Sequence, residues 1–64
     1  MARYLVTLKY NGEEYAVTTT ACDENNAIEF SIDDCVRVAS KATGKDSLEI
    51  YDEIERENFT AIQI

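Results

Sequence analysis

From Arg3 to Lys9 the chain alternates: Tyr4, Val6, Leu8 and Tyr10 fall on one side and Arg3, Leu5, Thr7 and Lys9 on the other. This period of two is the pattern of a half-buried strand. Asn11-Gly12 follows. Both residues tolerate positive φ, so the dipeptide predicts a two-residue type I′ hairpin loop that fixes the register of a second strand. Tyr10 is then set opposite Glu13, Lys9 opposite Glu14, Leu8 opposite Tyr15, Val6 opposite Val17 and Tyr4 opposite Thr19. Every apolar pair lands on one face. The other face holds a Lys9–Glu14 cross-strand ion pair with Arg3, Leu5, Thr7, Ala16, Thr18 and Thr20, a mixed set expected to be solvated.

The period then changes to that of a helix, predicted from about Glu24 to Thr43. Asp23 suits an N-cap, with Asn26 three residues on, and Glu24 puts negative charge in the first turn. At 100° per residue, Ala27, Ile28, Ser31, Ile32, Cys35, Val38, Ala39 and Ala42 form one broad stripe, as on a helix lying against a sheet. Gly44 can take the left-handed conformation that ends a helix, and Lys41 and Lys45 sit near its carbonyl end. Ser47 to Arg56 reads as a strand with Leu48, Ile50 and Ile54 inward. Asp52 on the same face asks for a bulge or a break near Tyr51. Phe59 to Ile64 reads as a last strand of open register, since Phe59 and Ala61 point one way and Ile62 and Ile64 the other. The expected fold is an α+β domain of order ββαββ. An antiparallel sheet of three to four strands carries one helix on one face, and the strand after the helix lies beside the first.

Sixty-four residues allow one domain, and a chain of this size buries only about 60% of the surface its unfolded form exposes. Six Lys and Arg stand against thirteen Asp and Glu, a net charge of −7, with no His, Trp or Pro. Excess carboxylates repel phosphate, so the composition argues against direct binding to nucleic acid or to anionic lipid. No apolar run approaches the roughly 20 residues of a membrane span, and Met-Ala-Arg-Tyr does not open a signal peptide. The chain is therefore expected to be a cytoplasmic protein.

Catalytic chemistry finds little footing. Without His there is no imidazole base or His-ligated metal, and Gly12 and Gly44 stand too far apart for a phosphate loop. No calcium-loop pattern is present, so neither a metal nor a cofactor is expected, and the protein is read as a non-enzyme. Cys22 precedes the helix, where the dipole favours a thiolate, although Asp23 and Glu24 oppose this. Cys35 lies thirteen positions on, roughly 20 Å along a helix. A disulfide needs α-carbons within about 7 Å, so no Cys22–Cys35 bridge is expected.

Two surfaces remain as candidates for binding. Phe30 falls on the solvent side of the helix among Asp33, Asp34 and Arg37, the setting of an aromatic anchor in an interface. Glu49, Glu53, Glu55 and Glu57 share parity with Tyr51. On an extended strand they form an acidic ladder at steps of about 6.8 Å. Three functions fit. The first is an interaction module that binds, and inhibits or regulates, a larger protein through the outer helix face or a sheet edge. The second is an acidic nucleic-acid mimic that blocks a nucleic-acid-binding protein. The third is a structural homodimer or larger homo-oligomer. The ladder also has a plainer account, as a solvated face whose edge charges discourage aggregation.

Overall fold

The computed structural model describes residues 1–64. Strands β1 (Ala2–Tyr10) and β2 (Glu13–Ala21) form the hairpin, followed by α1 (Glu24–Thr43), α2 (Ser47–Glu53), a 3-10 turn (Arg56–Asn58) and β3 (Phe59–Gln63). The sheet is antiparallel, in the order β2-β1-β3.

The hairpin follows its turn chemistry. Asn11 and Gly12 both adopt positive φ, 53° and 79°, and the pairing runs from Tyr10↔Glu13 to Ala2↔Ala21 in the register that the dipeptide sets. Tyr4, Val6, Leu8 and Tyr10 are buried beneath α1. The Asp23 side chain accepts from the Asn26 N–H over 2.8 Å, and the Asn26 side chain accepts from the Cys22 N–H. The first bond satisfies a donor that the first helical turn leaves free, and the second ties the residue before the cap to the same turn. At the other end Gly44, at φ 76°, donates to the Ser40 carbonyl.

The segment Ser47–Glu53 is a helix, so the order is ββααβ with three strands, and the expected strand over Ser47–Arg56 is corrected. Asp46 caps α2 through its side chain, which accepts from the Leu48 N–H over 3.1 Å. Ile50 and Ile54, one helical turn apart, both turn to the core, while Leu48 is 71% exposed. Asp52 then points outward without any bulge. The strand beside β1 is β3, which joins it in the register Leu8↔Phe59 to Tyr4↔Gln63.

One further shift concerns α1. Val36 is buried, whereas Val38 and Ala42, expected in the apolar stripe, are exposed. The stripe is rotated because α2 and the 3-10 turn cover that flank of α1 as well. Three bonds mark the covered flank: Tyr51 to Asp33, Arg56 to Asn25, and the Ser40 hydroxyl to the Lys45 carbonyl.

Candidate functional site

Phe30 is 58% exposed on α1. Its neighbours one turn on are Asp33, which accepts from the Tyr51 hydroxyl, and Asp34, whose Oδ1 lies 3.4 Å from Arg37 Nη1. The Asp33 bond raises the Tyr51 phenol above its ordinary pKa, because an adjacent carboxylate favours the protonated hydroxyl. Val38, 39% exposed, stands one turn beyond Asp34. Phe30, Asp34 and Val38 thus form a ridge along α1, with Arg37 beside it. The structure brings the expected set Phe30, Asp33, Asp34 and Arg37 onto one outer face and adds Val38, which the sequence pattern had assigned to the core.

The acidic ladder does not form, because its residues do not share a strand. Glu49 and Glu53 lie one turn apart on α2, Glu55 precedes the 3-10 turn and Glu57 lies within it. Glu53 is committed to an internal contact: its Oε2 accepts from the Tyr10 hydroxyl over 2.7 Å and its Oε1 lies 3.6 Å from Lys45 Nζ. The Tyr10 bond holds the Glu53 carboxyl below its ordinary pKa and raises the Tyr10 phenol. Glu55 is raised, because it shares a hydrogen bond and negative charge with Glu57. Tyr51 faces α1 and not the row of carboxylates in which it was expected.

The charge is nonetheless segregated. The segment from residue 22 to 58, which builds the helical layer, holds four Lys and Arg and eleven Asp and Glu, a balance of −7. The strands hold Arg3, Lys9, Glu13 and Glu14 and are neutral. The open face of the sheet is also more apolar than the hairpin alone implies. Leu5 pairs with Ile62, and Ile64 donates its N–H to the Arg3 carbonyl, so two isoleucines, 62% and 63% exposed, join Leu5 there. Sequence reasoning missed this because the register of the last strand was undecided. Its signal was Phe59 and Ala61, whose parity assigns Ile62 and Ile64 to the opposite face.

One shallow groove, about 210 Å³, opens between α1, the 3-10 turn and β3. Ile32, Tyr51, Ile54, Glu55, Arg56 and Phe59 line it. Small-molecule sites typically enclose about 300–1,000 Å³, so this groove is undersized for one. No three Cys, Asp or Glu side chains converge as metal ligands. No helix is long and apolar enough to cross a membrane.

No family model, curated protein or solved structure matches this chain.

Proposed function

We infer that this chain is a non-enzymatic protein-interaction module that docks on another protein through the outer face of α1, with Phe30 as the anchor. The observation that supports this most is the ridge Phe30–Asp34–Val38: two apolar side chains one turn either side of a charge, on a helix whose core-facing stripe is already satisfied. Interface anchors are typically large side chains at the centre of a contact, surrounded by residues that exclude water from it, and Phe30 with Val38 and the flanking charges offers that arrangement. The test is Phe30→Asp. The monomer should unfold at nearly the same temperature as the parent, while a partner captured by the parent protein is lost. A large drop in stability would show that Phe30 is structural and end this reading.

A second reading draws on the segregated charge: the helical layer, with its balance of −7, occupies a basic groove as a mimic of nucleic acid. Its contact would be spread over two helices and a turn. Salt separates the two readings, since attraction between charged surfaces fades within a Debye length of about 8 Å at physiological ionic strength, while an apolar anchor is little affected.

A further inference from the structure

We propose that the partner met by the Phe30 ridge is a second copy of this chain, joined through the free edge of β2 so that two three-stranded sheets become one of six. This rests on the reading of the α1 face given above and names its partner.

The edge comes first. The Ile64 N–H donates to the Arg3 carbonyl, so on β1 the backbone groups of Arg3, Leu5, Thr7 and Lys9 face β3, and those of Tyr4, Val6 and Leu8 face β2. On β2 the alternate residues Glu14, Ala16, Thr18 and Thr20 therefore turn their N–H and C=O groups to the free edge. From Tyr15 to Ala21 this edge has no charge, no Pro and no Gly. Edge strands that stay unpaired are usually blunted by charge, proline or a bulge, and this nine-residue strand carries charge only at its Glu13-Glu14 end.

The helix supplies the second half of the contact. Asp34 stands about 180° around α1 from Asn25, which bonds to Arg56 on the flank facing α2 and β3. Val38 stands about 140–160° around α1 from Asn25, Asp33 and Ser40, the residues bonded on the covered flank, so it overhangs the opposite flank on the side of the β2 edge, with Asp34 above it and Phe30 nearer the outer face; α1 packs chiefly on β2. Pairing two β2 strands antiparallel about a two-fold axis, about 4.8 Å apart, places two α1 helices antiparallel on the same face. Helices pack with their axes about 8–10 Å apart, so the pairing calls for each α1 to lie about 4–5 Å from the dyad, above β2 and its neighbour β1. The middle of α1 lies over the middle of β2, because the two elements match in length and run in opposite directions from the link at Cys22-Asp23. A dyad at Val17 or Thr18 then brings the turn that carries Phe30 in one copy level with Val38 of the other.

Within the helical layer, charge favours this flank. Along the flank Arg37 and Lys41 outnumber Asp34, in a layer that is otherwise acidic, so two helical layers repel less here than elsewhere on their surface. Across the dyad the Asp34–Arg37 pair of each copy can interleave with that of the other, a ring of alternating sign that only a self-complementary partner provides.

Sedimentation equilibrium over about 1 μM to 1 mM tests this, a range that covers weak to firm dimers. The expected mass is twice the 7.2 kDa of one chain at the upper concentrations. Thr18→Pro removes an outward N–H without touching the bonds to β1, and Val38→Asp puts a charge on the ridge. Each should weaken the dimer at least about tenfold while the circular dichroism of the monomer is retained. A monomer throughout, or a dimer indifferent to both variants, overturns the proposal. If the monomer instead captures a different protein in a Phe30-dependent way, the pairing is refuted and the interaction-module reading stands.

Discussion

The Tyr10 hydroxyl donates to Glu53 over 2.7 Å, joining the end of β1 to the last turn of α2 across 43 positions of sequence. Lys45 completes the cluster, its Nζ 3.6 Å from Glu53 and 5.4 Å from the centre of the Tyr10 ring. The contact pins α2 to the hairpin end, where the helix has only Ile50 fully buried. Its titration gives the cluster a pH signature. Glu53 has a depressed pKa in the fold, so its contribution is present above the unfolded value of about 4.3 and is lost as pH falls through the folded value. Tyr10 and Lys45 are both raised, Tyr10 chiefly by Glu53 and Lys45 chiefly by Tyr10. Their contributions are complete below about 10 and are lost as pH rises through the folded values. Tyr10→Phe should lower the urea midpoint near neutral pH by a few tenths molar and should lower it less at about pH 3, where Glu53 is becoming protonated. An equal loss at both pH values would dissociate the hydroxyl from the carboxylate.

Where sequence succeeded and where it failed has a single physical cause. The hairpin and α1 are set by local chemistry: Asn11-Gly12 permits few turns, and Asp23 and Gly44 mark the ends of a helix whose face repeats over five turns. Ser47–Glu53 is too short for its period to declare itself, because Leu48, Ile50 and Ile54 fit alternation as well as Ile50 and Ile54 fit a helical turn. The deciding signal was polar. Asp46, with Glu49 three residues later, is an N-cap pattern, and Asp52 on the supposed inner face was the cost of ignoring it. The acidic ladder failed with the strand that carried it, whereas the placement of Phe30, Asp33, Asp34 and Arg37 on α1 depended only on that helix.

The two assignments of this segment differ in an observable way. A strand with Leu48 and Ile50 both inward would make their truncations comparably harmful. With α2 helical, Ile50→Ala empties a fully buried site and should cost about 2–5 kcal/mol, while Leu48→Ala, on the solvent side, should stay within about 0.5 kcal/mol. Chemical denaturation of the two variants checks the contrast, and comparable losses would return the segment to the sheet.

Ser31 is fully buried on the core face of α1, and its hydroxyl has no hydrogen-bond partner. An unsatisfied buried hydroxyl costs about 1–3 kcal/mol, and Ala has the higher helix propensity. Ser31→Ala should therefore stabilise the fold by about 1 kcal/mol, seen as a higher denaturation midpoint with an unchanged slope. A loss of stability of that size would show that the hydroxyl has a native partner.

The two cysteines differ sharply in setting, and their reactivity should report the opening of the core. Cys22 is exposed just before α1. Cys35 is fully buried, its Sγ directed at the Val6 carbonyl over 4.0 Å, and desolvation followed by the charge of Asp34 pushes its thiol up to about 11. The thiolate is the reacting species, so Cys35 is protected both by exclusion of reagent and by its protonation. With a thiol reagent in excess at neutral pH, one equivalent should react at once and the second only as the protein unfolds. The second rate should rise with urea in parallel with global unfolding, because α1 must leave β1 before Cys35 meets solvent. Two fast equivalents in native buffer would mean that the α1 to β1 contact opens locally, and would remove Cys35 from the stable core.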